Sequence, residues 1–130
     1  MTTELTILIA ASGLGLLQII AASHAASFQF GYAWSAGSRD APCPPLVGLA
    51  GRLQRTVQNF SESFCLFAVA IFVAHLLGKH NVLTITGALM YLAGRVAFLA
   101  LYVTGVRIAR SIAWSVAALG IVLLFVACFR

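Results

Sequence analysis

An all-α integral membrane protein, a bundle of about four spanning helices, is the fold class this sequence predicts, and three observations predict it. Hydrophobic residues fill 62% of the 130 positions and charged residues only 8%, about a third of the charged fraction of a soluble domain. Mean hydropathy is +1.01. The apolar residues fall into four long runs separated by short polar, glycine- or proline-containing segments, and one span needs about 20 such residues. Four spans with short connections use the whole chain, so residues 1–130 are expected to form a single membrane domain.

The first run covers about 5–32 and is rich in small residues such as Gly13, Gly15, Ala21, Ala22 and Ala25, which let helices approach closely in lipid. It ends in Phe28, Phe30, Tyr32 and Trp34, aromatics of the kind that anchor a helix at the interface. A removable signal peptide is not expected, because Glu4 stands where a signal places a basic residue and the apolar run is too long. Residues 35–45 hold Arg39, Asp40, Pro42, Pro44 and Pro45 and read as a loop.

The second helix is expected over about 46–77. Its uninterrupted apolar part, 64–77, spans only about 21 Å, so the helix has to include Arg52, Arg55, Asn59 and Glu62. Their spacing of three, four and three puts them within a stripe of about 80° on one face. The turn Gly78, Lys79, His80, Asn81 leads to a third helix over 82–104, with Tyr91, Arg95, Phe98 and Tyr102 recurring on one side. Gly105 and Val106 open the last turn, and the fourth helix runs over about 110–129 with Trp114 near its start.

Of the basic residues, Arg39, Arg52, Arg55, Arg107 and Arg110 belong to the first and third loops and adjoining helix ends, against Lys79 and Arg130 on the other side. The positive-inside rule then puts loops one and three in the cytoplasm and both termini across the membrane. This topology accounts for the net charge of +5, and no aromatic-interleaved basic stripe points to nucleic acid. Cys43, Cys65 and Cys128 show no metal or redox spacing. His24, His75 and His80 read as packing or interface residues rather than metal ligands, and Tyr91 and Trp114 as packing residues or interfacial anchors.

Glu62 and Arg95 fall at matching depth on neighbouring antiparallel helices, about 24 Å and 21 Å from the turn that joins them. Charges at such depth face the bundle interior and find partners, so the two are expected to pair or to share a polar cavity with Tyr91 and Tyr102. Guanidinium groups bind carboxylates in fork geometry, Asn59 offers both donor and acceptor, and Glu62 can receive an ammonium. A zwitterionic peptide with several carboxylates suits such a pocket.

Residues 51–64, GRLQRTVQNFSESF, resemble the second-helix signature of the membrane-associated proteins in eicosanoid and glutathione metabolism, the MAPEG superfamily, whose core pattern is Arg-Ala-x-x-Asn-x-x-Glu. Arg55, Asn59 and Glu62 match it, with Thr56 in place of Ala. Ser38, Arg39 and Asp40 followed by prolines resemble the Asn-Arg-Asp loop of the bacterial branch, and residues 93–98 and 110–114 resemble its third and fourth helices.

The resemblance implies a homotrimer of four-helix subunits in a bacterial inner membrane, in contact with lipids, with glutathione as co-substrate between adjacent subunits. By position it assigns glutathione binding to Arg55, Asn59, Glu62 and Tyr102, supported by Arg39 and Arg95. It makes Arg110, and second Arg107, the arginine that stabilises the reacting thiolate. The implied activity is a glutathione transferase or peroxidase acting on lipophilic electrophiles, without a metal. The competing readings are a non-catalytic accessory subunit or lipid-binding scaffold of the same architecture and, less well matched, a small multidrug transporter. The transporter reading needs a carboxylate within the first helix, which here has only Glu4 at its start.

Overall fold

The computed structural model describes all residues, Met1–Arg130, and consists of five helices and no strand: α1 (Thr3–Phe30), α2 (Tyr32–Ala36), α3 (Gly48–Leu76), α4 (Val82–Thr104) and α5 (Arg107–Phe129). Helices α1, α3, α4 and α5 are each long and apolar enough to cross a membrane. They form an up-and-down four-helix bundle, and the chain is an integral membrane protein. Its outer surface carries Ile9, Leu16, Leu17, Val69, Phe72, Leu89, Val96 and Val122, all exposed, a face that lipid tails cover.

Backbone chemistry sets the helix ends. The first run breaks at Gly31, where φ is +89°, and the aromatic tail that sequence reading joined to it turns off as the short α2, with Trp34 edge-on to Phe30 at 4.9 Å between ring centroids. Gln29 clamps the following loop to α1, donating from Nε2 to Pro45 O at 3.0 Å and accepting from Val47 N at 3.0 Å. Helix α4 opens with a reciprocal cap, in which Asn81 Oδ1 accepts from Leu83 N and Thr84 N while Thr84 Oγ1 accepts from Asn81 N, so several orphan donors of the first turn are satisfied. It stops at Gly105 in the left-handed region. Helix α5 starts three residues earlier than its apolar run suggests, because Arg107 and Ile108 already lie in its first turn.

Two helix pairs, α1 with α3 and α4 with α5, join around one core: Ile7, Leu8 and Ala11 from α1, Phe67, Ala70 and Ile71 from α3, Ala88 and Tyr91 from α4, and Ala117, Ile121 and Leu124 from α5. Tyr91 is a packing residue, as expected: it is fully buried and stacks on Phe67 with 3.9 Å between centroids. The α4–α5 contact is tighter still, because Gly87, Gly94 and Gly120 bring backbone against backbone. A Cβ on Gly94 would lie 2.8 Å from Ala113 O, and one on Gly120 2.5 Å from Gly87 O. In lipid, where apolar surface gives no solvent-driven association, such close packing is what holds helices together.

At the end where α1 begins and α4 begins, Glu4 is 3% exposed. Its Oε1 accepts from Thr84 Oγ1 at 2.6 Å, and its Oε2 lies 3.5 Å from His80 Nδ1. His80 is therefore an interface residue tying the α3–α4 turn to α1. Thr84→Val keeps the shape but leaves this carboxylate oxygen without its donor, which costs about 1–3 kcal/mol. The expected result is a lower thermal midpoint in detergent, with Glu4→Gln, which keeps an acceptor oxygen, losing less.

Candidate functional site

The basic residues meet at the opposite end of the bundle, where α3 starts, α4 ends and α5 starts. Arg52 Nη1 donates to Val103 O at 2.9 Å, so a cation caps a terminal carbonyl of α4 and faces the negative end of its dipole. One turn further along α3, Arg55 Nε donates to Tyr102 Oη at 2.9 Å. The Arg110 guanidinium approaches the same ring at 4.6 Å from its centroid, within cation–π range. A single phenol on α4 thus holds an arginine from α3 at its oxygen and an arginine from α5 over its ring.

Deeper in the bundle, Arg95 is 2% exposed. Its Nη1 donates to Asn59 Oδ1 at 2.7 Å and its Nη2 to Asn59 O at 3.3 Å, and Nη2 also contacts Ser63 Oγ. The Ser63 hydroxyl in turn lies 3.1 Å from Tyr91 Oη. The rings of Phe60, Tyr91 and Phe98 surround the guanidinium at 5.5–5.9 Å. The expected pairing of Arg95 with Glu62 is corrected here. Arg95 takes its acceptors from Asn59 and Ser63, Glu62 is exposed, and the one carboxylate with a basic side chain within 4 Å is Glu4, beside His80. Depth along the helix was matched, but azimuth decided. Asn59 and Ser63, four apart, face α4, whereas Glu62 is turned about 100° from Ser63 and looks outward.

Between α3, α4 and α5 lies a chamber of about 300 Å³ lined by Asn59, Phe98, Tyr102, Arg110, Ser111, Trp114 and Ser115. Ser111 and Ser115 also line an apolar groove of about 360 Å³ that runs along α5 past Ile108, Ile112, Val116 and Leu119. A donor-rich chamber and an apolar groove thus adjoin at Ser111 and Ser115. This arrangement can hold an anionic polar group at the arginines and the amide while a lipophilic molecule lies alongside.

Of the residues expected at a site, the fold brings Arg55, Asn59, Tyr102 and Arg110 together, with Arg95 directly behind Asn59. Within one subunit Glu62 does not join them; it stands at the midpoint of α3, on its outer face. Arg39 lies elsewhere. Its guanidinium folds back on Ser35 O at 3.0–3.1 Å and over Trp34 at 5.9 Å, beside a separate groove between α1 and α3. Arg107 is exposed and lies off the chamber. Trp114, read as a packing residue or interfacial anchor, lines the chamber. Sequence reading missed Ser63, Ser111 and Ser115. The available signal was the four-residue spacing of Asn59 with Ser63 and of Ser111 with Ser115, which stacks each pair on one helix face.

No group of histidine, cysteine and carboxylate side chains is arranged to hold a metal ion. The family described as the MAPEG family matches residues 7–130, nearly the whole chain. No curated protein matches it.

Proposed function

The chain belongs to the MAPEG family, and from that premise we propose that it is a membrane-bound, glutathione-dependent transferase that works on lipophilic electrophiles as one subunit of a homotrimer. The observation that carries this reading is the meeting of Arg55 and Arg110 on Tyr102, which lines a chamber together with Asn59. Two guanidiniums, an amide and a phenol suit the carboxylates and amides of a tripeptide. The contiguous groove along α5 suits a substrate arriving from the bilayer.

In this reading Arg55, Asn59 and Tyr102 bind glutathione, and Arg95 supports Asn59 from behind. The Arg110 guanidinium favours the thiolate over the thiol. The thiolate attacks the electrophilic carbon, the new C–S bond forms, and the leaving group departs with the bonding electron pair. Arg107, set off the chamber, takes no part in the step.

The trimer rests on Glu62. A carboxylate at the middle of a span that faces lipid costs about 3 kcal/mol on insertion scales, and Arg55 and Gln58 are exposed on the same helix. A neighbouring subunit covering this stripe removes that cost, closes the open side of the chamber and brings Glu62 to glutathione with Arg39 from the adjacent loop. The reading also includes a bacterial inner membrane, with the arginine-rich end in the cytoplasm as the positive-inside rule requires.

Calorimetric titration of the detergent-solubilised protein with glutathione tests it. The wild type is expected to bind, to show thiolate absorbance in the ultraviolet, and to run as three copies in native mass spectrometry. Arg55→Ala is expected to weaken binding about tenfold, which corresponds to about 1.4 kcal/mol. Absence of binding by the wild type overturns the proposal, and binding without thiolate or turnover favours a non-catalytic scaffold of the same fold.

A further inference from the structure

Building on the glutathione reading above, we infer that Arg95 is a positioning residue: it locks the Asn59 side-chain amide so that its NH2, never its oxygen, is presented to the ligand. The inference starts from a constraint of chemistry. A guanidinium has five N–H donors and no acceptor, so the Asn59 atom 2.7 Å from Arg95 Nη1 has to be the carbonyl oxygen. Rotating the amide by half a turn would set N–H against N–H. Neither partner can relax away, because Nη2 of the same guanidinium is held by Asn59 O and Ser63 Oγ and Ser63 is held by Tyr91.

With Oδ1 engaged, Asn59 Nδ2 has no hydrogen-bond partner within the chain, and Asn59 is a wall of the chamber. A free asparagine turns donor or acceptor to a ligand alike, but this one is held with its oxygen toward Arg95 and its donors toward the chamber. The sign of the ligand group follows. No carboxylate lies within ion-pairing distance of Arg95 and Glu62 acts on it only from farther away, so its positive charge stands directly behind the amide and polarises the NH2 toward the chamber. A carboxylate oxygen of the ligand is the group this NH2 favours, and an ammonium, which has no acceptor, is mismatched to it. Asn59 selects, and Arg95 makes it selective.

A double-mutant cycle read by calorimetric glutathione affinity tests this in the intact protein. Arg95→Met alone is expected to weaken binding about tenfold, since the freed amide samples both orientations, about a twofold loss, and its NH2 also loses the polarisation that the guanidinium behind it supplied; Arg95→Lys, which keeps a donor and the charge, is expected to restore most of the loss. In an Asn59→Ala background Arg95→Met is expected to cost less than about twofold, a result that a general folding role of Arg95 would not give. Asn59→Asp supplies a second arm that does not depend on Arg95 variants folding: the new carboxylate satisfies Arg95, so the thermal midpoint rises above that of Asn59→Ala, while its other oxygen repels the ligand carboxylate and affinity falls below that of Asn59→Ala. Equal losses from Arg95→Met in both backgrounds, or Asn59→Asp binding as tightly as the wild type, overturn the inference and leave the glutathione site standing. Absence of wild-type binding removes the site itself and the inference with it.

Discussion

Gly120→Leu is expected to undo the docking of α5 on α4. The Cβ alone would sit 2.5 Å from Gly87 O and 2.8 Å from Tyr91 N, and both are backbone atoms of a helix that cannot yield as a side-chain tip does. The helices have to separate along the whole contact, including Gly94 against Ala113 and Ala117. A loss on the order of 3 kcal/mol follows for overpacking of this kind, a large part of the stability of a small domain. The measurement is the thermal midpoint in detergent, with Gly13→Leu as the control, because nothing lies within 4 Å of a Cβ there. Similar midpoints for the two variants would contradict the close packing of α4 on α5.

The chamber depends on that same contact. Phe98 and Tyr102 reach it from α4, and Arg110, Ser111, Trp114 and Ser115 from α5, so its width is set by the glycines that fix the distance between the two helices. A milder change, Gly94→Ala, places a Cβ 2.8 Å from Ala113 O and would alter the chamber before it unfolds the bundle. Under the proposed function, Tyr102 and Arg110 share the α4–α5 interface with the glycines that hold it together.

Much of this was legible in the sequence, for identifiable reasons. The third helix runs over 82–104 in both readings, because Asn81 caps its start and Gly105 stops it, and both signals are local. The convergence of Arg55 and Tyr102 was legible too, since each lies on a polar stripe with helical period. Pairing across the bundle was less so. Glu4 and Thr84 are 80 residues apart, and nothing in an apolar pattern tells a terminal carboxylate in water from one buried on another helix. For Arg95 the sequence offered a carboxylate at the right depth, and charge complementarity favoured it. A one-residue step turns a side chain by about 100°, however, and that step decides between Glu62, which faces outward, and Ser63, which faces Arg95. Arg39 stands apart from the chamber within one subunit for a related reason: its loop folds back on Trp34 and Ser35, a local geometry that goes with its left-handed φ of +62° and that sequence spacing does not reveal.

Arg110→Ala is expected to lower turnover about 30-fold at neutral pH while leaving glutathione bound, because the thiolate fraction falls from most of the bound thiol to about 3% when its pKa returns to about 8.5. A fixed cation about 5 Å from a thiolate, at an effective dielectric of about 20, is worth roughly 3 kcal/mol, or about two pH units. That is enough to bring a free thiol with a pKa of about 8.5 to below neutrality, so that most of the bound cofactor is nucleophilic at neutral pH. Without the cation the bound thiol is mainly protonated and the reaction slows in proportion. Because Arg55, Asn59 and Tyr102 hold the rest of the tripeptide in this reading, affinity should change by less than about threefold. Arg107→Ala provides the contrast, since Arg107 is exposed and off the chamber, and its turnover should stay within about threefold of the wild type. The pH dependence gives an independent check: raising the pH by two units should restore much of the Arg110→Ala rate, because hydroxide then does what the guanidinium did. A variant that keeps its thiolate absorbance and loses turnover all the same would assign Arg110 to substrate placement instead.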